Sequence, residues 1–212
     1  MASNPVFIDC IQGSPEWLSL RAGIPTASCF DSIVTSKGEP SKSAKKYLYQ
    51  LAGERLLGAP VIGYQNDNMI RGQELEAEAR QAYELIMGVE VKQAGFCFSD
   101  DRRLYGCSPD GLIGDDGGLE IKCPTLSVAV EYLDKGRLPT AYVQQVQGTL
   151  FVTGRVYWDF MSYYPGLPPL IVRVERDEPL LSALAIELEA FCGELDEMVA
   201  RMLEKYLKEV EK

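Results

Sequence analysis

Two short segments separated by an acidic, glycine-rich turn contain residues whose types and spacing suit metal-dependent chemistry. The first covers residues 108–113, Ser-Pro-Asp-Gly-Leu-Ile, and the second covers residues 118–123, Gly-Leu-Glu-Ile-Lys-Cys. Both segments are β-prone, and the residues between them are typical of a turn. Because side chains alternate along a strand, Glu120 and Lys122 share one face. A hairpin can therefore bring Asp110, Glu120 and Lys122 together.

Such a group of side chains could support hydrolysis. Two carboxylates offer hard oxygen ligands for Mg²⁺, and an adjacent ammonium group can hold or deprotonate an attacking water. The hairpin alone is explained equally well by ordinary surface charges, because an Asp and a Glu-x-Lys recur by chance. The chain has no histidine, which excludes Ser–His and Cys–His nucleophilic sites and most zinc sites. Carboxylate, lysine, tyrosine or metal must therefore carry any enzymatic chemistry.

Composition indicates one sizeable globular domain over residues 1–212. The hydrophobic content is 46% and the charged content 25%, both ordinary for a soluble protein. No signal-peptide pattern or membrane-spanning apolar run is visible, so we expect a cytosolic protein without a membrane partner. The six cysteines include no C-x-x-C pair, which favours reduced core residues over disulfides or an iron–sulfur site.

The net charge of −10 argues against a nucleic-acid surface, but the charge is unevenly distributed. Residues 174–212 hold five Lys/Arg and eleven Asp/Glu, hence −6, whereas residues 1–60 hold six and five, hence +1. A locally basic surface that binds DNA is therefore still compatible with the composition. Four lysines at 37, 42, 45 and 46 are interpreted as a solvated face, with DNA backbone contact as the alternative.

Hydrophobic periodicity and capping signals predict an α/β domain. Ser14 and Pro15 precede a short helix over 17–22, and a polar loop over 36–46 leads into a helix ending near Leu57. The remaining predicted helices cover residues 73–87, 140–153 and 179–210. The predicted strands cover residues 95–99, 104–107, 111–114, 119–123, 156–163 and 170–175.

Two polar residues lie on the apolar faces of predicted helices. Glu76 shares a face with Ala79, Tyr83 and Ile86, and an inward carboxylate needs a partner such as a cation. Equally, Glu76 could lie at the edge of this apolar face and reach solvent. Gln145 lies in the inward stripe of the helix over 140–153, where a buried amide usually satisfies backbone groups.

The last helix, over residues 179–210, repeats apolar residues at helical spacing with acids on the opposite side. Its apolar positions are Leu184, Leu188, Phe191, Leu195, Met198 and Met202. We expect this stripe to pack on the domain itself rather than to form a groove for a partner.

The order of these motifs resembles the PD-(D/E)xK nuclease superfamily and, within it, the lambda-exonuclease (YqaJ-type) viral recombinase family. The resemblance extends from about Ser14 to Asp177. It rests on residues 17–28, on Arg71-Gly72 leading to Glu76, and on residues 107–111, 119–124 and 142–147. Five motifs in this order are far more specific than the hairpin alone.

The resemblance implies a restriction-endonuclease-like core, in which helices flank a mixed central sheet. It also implies a Mg²⁺-dependent exonuclease with two metal ions, for which Mn²⁺ can substitute. Such an enzyme digests one strand of linear double-stranded DNA from the 5′ end and leaves a 3′ single strand for recombination by annealing. The expected assembly is a homotrimer ring with a phage single-strand annealing protein as partner, phage- or prophage-encoded and acting in the bacterial host cytoplasm.

By the same resemblance, individual residues acquire expected roles. Asp110 and Glu120 would bind metal together with the main-chain carbonyl of Ile121, and Glu76 would support the second ion. Lys122 would orient the nucleophilic water with help from Gln145. The residues expected to hold the terminal 5′ phosphate are Arg21, Ser28 and Ser108, since a guanidinium and hydroxyls suit phosphate oxygens.

Three alternatives remain open at this stage. One is another nuclease of the same fold, either an endonuclease or a resection subunit of a larger complex. A second is a non-catalytic DNA-end-binding recombination scaffold, although a relict site would be expected to have lost members of the residue set. The third is an unrelated Mg²⁺-dependent phosphoesterase that acts on small molecules.

Overall fold

The computed structural model describes residues 4–61 and 67–210, with side chains other than those of residues 67–69 and 207–210. The α-helices are α1 (Pro15–Arg21), α2 (Ala44–Leu57), α3 (Asp67–Met87), α4 (Leu126–Lys135), α5 (Val143–Thr153) and α6 (Glu178–Val210). Two 3₁₀-helices cover Ala27–Ser32 and Thr140–Tyr142. No helix among the described residues is both long enough and apolar enough to cross a bilayer.

The strands form two sheets flanked by helices. They are β1 (Val6–Ile8), β2 (Phe96–Phe98), β3 (Gly106–Cys107), β4 (Gly111–Ile113), β5 (Gly117–Lys122), β6 (Tyr157–Ser162) and β7 (Leu170–Glu175). The first sheet is antiparallel in the order β1-β2-β3. The second has the order β4-β5-β6-β7 and is mixed, because only β5 and β6 are parallel. The predicted α/β class and mixed central sheet are confirmed.

Several element boundaries differ from the prediction. α3 begins at Asp67, six residues before the predicted start at 73, and it ends at Met87 as expected, with Gly88 at a φ of 67°. Sequence analysis missed β1 and α4 altogether. The signals for α4 were present, since Thr125 occupies its N-cap position and Gly136 ends it in the left-handed conformation.

α6 packs on the rest of the chain, as its apolar stripe predicts. Leu184, Leu188 and Leu195 are fully buried in a hydrophobic cluster that also contains Leu48 and Leu51 of α2. The last apolar position of the stripe, Met202, is only half-buried. The large core between α2 and α6 also contains Ala27 and Phe30 of the first 3₁₀-helix.

α3 lies against β5 and contributes a second core. Ala79 and Tyr83 are buried there with Leu119 and Ile121. The predicted face of α3 is wrong at its end, because Ile86 is 54% exposed. Ile86 does not belong to the core that Ala79 and Tyr83 join, so its apolar spacing does not lead to burial.

All six cysteines are free, which confirms the prediction of reduced thiols. Cys97, Cys107 and Cys192 are buried, whereas the other three are half-buried. The four lysines at 37, 42, 45 and 46 are exposed, as expected for a solvated face. Among them, Lys45 pairs with Glu194 of α6 at 2.6 Å.

Candidate active site at the β4–β5 hairpin

Glu120 lies at the centre of a polar cluster on β5, the strand between β4 and β6. Glu120 is only 2% exposed to solvent, and a buried carboxylate requires partners. Lys122 supplies one, with its Nζ 2.6 Å from Glu120 Oε1. The two side chains meet because they are two residues apart on one strand, as the alternation predicts.

Asp110 enters the same cluster from the residue that precedes β4. The N–H of Ile121 donates to Asp110 Oδ2 at 2.7 Å, which fixes the carboxyl group against β5. Burial raises the pKa of Asp110 well above its ordinary value, and the neighbouring Glu120 and Glu76 carboxylates raise it further. The hairpin thus brings the buried Glu120 and the half-buried Asp110 carboxyl groups together, as expected from the sequence.

Gln145 reaches the cluster from α5, where its Nε2 donates to Glu120 Oε1 at 2.5 Å. The alternative that the Gln145 amide satisfies backbone groups is wrong, because its Nε2 contacts a side chain. The two neighbouring glutamines do contact the backbone: Gln144 donates to the carbonyl of Val34, and Gln147 donates to the carbonyl of Glu175. We refer to Asp110, Glu120, Lys122 and Gln145 as the hairpin cluster.

The charge of Lys122 is strongly stabilised. Burial lowers the pKa of this side chain, but Glu120 and Asp110 raise it by more, so that it lies above its ordinary value. The ammonium group also lies over the ring of Tyr142, 5.2 Å from the centroid. Lys122 is therefore a fixed ammonium group beside two carboxyl groups, suited to holding a water or a phosphate oxygen.

Glu76 lies near the hairpin cluster but is engaged by another residue. Its Oε1 accepts from Arg80, one turn later on α3, at 2.5 Å. Burial raises the pKa of Glu76, the Arg80 charge opposes this, and the Glu120 carboxylate raises the pKa further. Within the described part of the chain, no three His, Cys, Asp or Glu side chains form a group that could hold a metal ion. Glu120 is thus close enough to raise the pKa values of both Glu76 and Asp110, but these three carboxyl groups do not form a preformed metal site.

Arg80 is a site residue that sequence analysis missed. Besides pairing with Glu76, its Nε donates to the main-chain carbonyl of Asp110 at 3.3 Å. The guanidinium therefore ties α3 to the start of β4. The signal in the sequence was its position four residues after Glu76, on the same side of the helix.

Arg21, Ser28 and Ser108, the residues expected to bind phosphate, also lie together; we refer to them as the Arg21 pocket. Arg21 Nη1 donates to Ser108 Oγ at 2.9 Å, and Nη2 lies 3.5 Å from Ser28 Oγ. Trp17, which was not assigned a role, donates from Nε1 to Ser108 Oγ at 2.8 Å and lies under the Arg21 guanidinium. Burial lowers the pKa of Arg21. The guanidinium nevertheless keeps its charge, because arginine is not deprotonated in proteins.

One member of each group, Arg21 and Asp110, lines a common cleft of about 1180 Å³. Trp17, Glu76 and Arg80 line the same cavity. Positive and negative functional groups thus face the same space. This arrangement suits an anionic substrate that is held by Arg21 while its reacting group lies near the carboxylates.

Comparison with known proteins supports this interpretation. The profile of the YqaJ-like viral recombinase domain matches residues 16–156. The alkaline exonuclease LHK-Exo from Laribacter hongkongensis has a similar structure, with 34% sequence identity and a TM-score of 0.84 over 92% of this chain and 99% of that chain. A structure of LHK-Exo in complex with dAMP matches equally well.

A phage-related exonuclease from Haemophilus somnus 129PT shares the fold at 16% identity, with a TM-score of 0.62 over 84% of this chain and 96% of that chain. No curated protein sequence matches the chain. The domain match covers more than half of the chain and contains the hairpin cluster and the Arg21 pocket. The chain therefore belongs to the YqaJ-like viral recombinase family.

Proposed function

We propose that this protein is a Mg²⁺-dependent exonuclease that digests one strand of linear double-stranded DNA from its 5′ end. The product would be a 3′ single-stranded overhang for recombination by strand annealing. The observation that carries the proposal is the geometry of Glu120, which is buried and contacts both Lys122 and Gln145 beside the Asp110 carboxyl group. The similarity to an alkaline exonuclease supports the same chemistry.

The hairpin cluster offers two carboxyl groups, the kind of oxygen donor that a hard divalent cation prefers, and a main-chain carbonyl would complete the set. Asp110 and Glu120 are neighbouring carboxyl groups. Burial raises the pKa of Asp110 and the Glu120 charge raises it further, and a bound cation would oppose both effects. The N–H of Ile121 faces Asp110, and the carbonyl of a strand residue projects to the same edge as its N–H. These three residues would hold Mg²⁺, with Glu76 contributing to a second ion if it leaves Arg80.

Bound Mg²⁺ would lower the pKa of water and neutralise charge on the phosphodiester. The chain's own groups would orient the reactants. The Lys122 ammonium would hold the attacking water in line with the scissile phosphate, and the Gln145 amide would keep the Glu120 carboxylate in position. Because Lys122 is a stabilised ammonium group, we assign it to orienting the water rather than to removing its proton.

The Arg21 pocket would hold the terminal 5′ phosphate. A guanidinium can donate two parallel hydrogen bonds to a phosphate, and the hydroxyls of Ser28 and Ser108 can donate to its remaining oxygens. Ser108 Oγ accepts from both Trp17 and Arg21, which places its hydroxyl beside the guanidinium. Holding the newly exposed 5′ end after each cleavage would give the reaction its direction.

The family resemblance extends the proposal to assembly and partners. A homotrimer ring around the duplex would explain processive digestion, because a closed ring releases its substrate slowly. A phage single-strand annealing protein would receive the overhang. Sedimentation of the protein alone should give the mass of three chains; a monomer at working concentrations would contradict the ring.

The test uses linear duplex DNA labelled at either the 5′ or the 3′ end, with Mg²⁺ and then with EDTA. We expect early release of the 5′ label as mononucleotide, late release of the 3′ label, and no reaction in EDTA. A covalently closed circular duplex should remain intact. Cleavage of the circle would indicate an endonuclease, and tight end binding without any hydrolysis would indicate a scaffold.

A further inference from the structure

α1 ends in a tight turn that determines where Arg21 lies. Ala22 has φ −61° and ψ 126°, Gly23 has φ 69°, and the N–H of Ile24 donates to the carbonyl of Arg21 at 3.4 Å. These are the features of a type II turn, in which the third residue needs a positive φ and is therefore usually glycine. Arg21 is the first residue of this turn, so its backbone position depends on how the turn is held.

Both main-chain groups of Gly23 are held by α2. The N–H of Gly23 donates to Glu54 Oε2 at 2.8 Å, and Arg55 Nε donates to the carbonyl of Gly23 at 2.6 Å. Glu54 is 6% exposed, and its other oxygen accepts from Gln50 at 3.2 Å. A Cβ added at Gly23 would lie 2.4 Å from Arg55 Cγ, so the close approach of the two segments requires glycine.

A third residue of α2 contacts the segment that leads to Ser28. The N–H of Thr26 donates to the hydroxyl of Tyr47 at 3.4 Å. Tyr47 precedes Glu54 by seven residues and Arg55 by eight, so all three lie on one face of the helix. α2 is itself joined to α6 by the ion pair of Arg55 with Asp196.

We propose that Glu54 and Arg55 are positioning residues that hold the turn after Arg21 and thereby set the preference for 5′-phosphorylated ends. The inference rests on the proposed role of Arg21 in phosphate binding. Neither side chain needs to touch the phosphate. With the turn held at Gly23, the Arg21 guanidinium stays within reach of Ser108 and Ser28; with the turn released, it would lose that alignment.

The experiment compares initial rates on duplexes that carry either a 5′ phosphate or a 5′ hydroxyl. In Glu54→Ala and Arg55→Met, we expect the ratio of the two rates to fall about tenfold, as for one weakened charge-assisted hydrogen bond. The rate on hydroxyl ends should be retained. Arg55→Met keeps the Cγ that lies against Gly23 and changes a partly exposed side chain, so it tests the inference even if Glu54→Ala fails to fold.

Two control variants separate positioning from general damage. Glu54→Gln retains an oxygen that can accept from Gly23 and should keep the native ratio. Lys45→Ala removes an exposed ion pair between α2 and α6 without touching the turn, and it should also keep the ratio.

The outcomes separate this inference from the proposal on which it rests. If the native protein prefers phosphorylated ends and both Glu54→Ala and Arg55→Met preserve that preference, the positioning role is overturned while the role of Arg21 stands. If the native protein shows no preference, the phosphate role of Arg21 fails and the positioning role fails with it.

Discussion

The hairpin cluster and the Arg21 pocket are built in different ways. Glu120 and Lys122 of the hairpin cluster are two residues apart, and Asp110 is only ten residues before Glu120. The Arg21 pocket joins two residues that are 87 positions apart, Arg21 and Ser108. The first group depends mainly on the register of one hairpin, whereas the second depends on how α1, α2 and the first sheet pack.

The two regions also differ in charge. Two carboxyl groups dominate the hairpin cluster, where burial and repulsion raise the pKa of Asp110. The Arg21 pocket instead presents a cation, the Arg21 guanidinium, to the cleft that Asp110 also lines. Under the proposed function the two regions would have separate tasks, with chemistry performed at the acids and recognition at the arginine. Substitutions should therefore affect the two regions in distinguishable ways.

Asp110→Asn should have the largest effect. We expect DNA hydrolysis to fall by about a thousandfold or more, because the variant loses a charged metal ligand. The asparagine oxygen can still accept from Ile121, so the melting temperature in EDTA should not fall. Asp115→Asn, in the exposed turn of the same hairpin, is the matched control. Mg²⁺-dependent turnover at the native rate in Asp110→Asn would refute the active-site assignment.

Lys122→Ala should reduce the rate by about a hundredfold, as for loss of a positioned group that orients water. The Mg²⁺ concentration that gives half the maximal rate should change little, since Asp110 and Glu120 remain. Lys135→Ala, which removes an exposed lysine paired with Glu131, controls for loss of positive charge. A large shift in Mg²⁺ dependence with an unchanged maximal rate would show that Lys122 organises the metal site instead.

Arg21→Ala should slow digestion of 5′-phosphorylated ends by about tenfold, because a charge-assisted contact to phosphate is lost. Hydroxyl ends should be digested at nearly the native rate. This selective effect would distinguish the Arg21 pocket from the hairpin cluster, where substitution slows both substrates. Equal slowing on both ends would place Arg21 in the chemistry rather than in recognition.

Tyr83→Phe should have the smallest effect on activity. The Tyr83 hydroxyl donates to the buried Asp159 at 2.6 Å, and Asp159 also receives two hydrogen bonds from Arg173. Loss of the hydroxyl should lower the free energy of unfolding by about 1 kcal/mol, measured by urea denaturation. The rates on both kinds of DNA end should be preserved. A loss of rate on phosphorylated ends alone would show that this buried contact of α3 affects the Arg21 pocket.

Much of the secondary structure could be predicted because it depends on local spacing. The final helix, the β4–β5 hairpin and the glycine that ends α3 follow from periodicity and capping residues. α4 was missed although Thr125 and Gly136 stand at its two ends, and β1 was missed because it is only three residues long. Glu76 was expected to need a partner, but its pairing with Arg80 required the structure.

The sequence alone determined which chemistry was available. The absence of histidine limited any enzymatic chemistry to carboxylate, lysine, tyrosine or metal, and the alternation along one strand placed Glu120 and Lys122 on the same face. The tertiary structure decided which groups meet: that Gln145, and neither Gln144 nor Gln147, contacts Glu120, and that α2 holds the turn after Arg21. The physical reason is that local spacing specifies the face of an element, whereas contacts between distant residues depend on how whole helices and sheets pack.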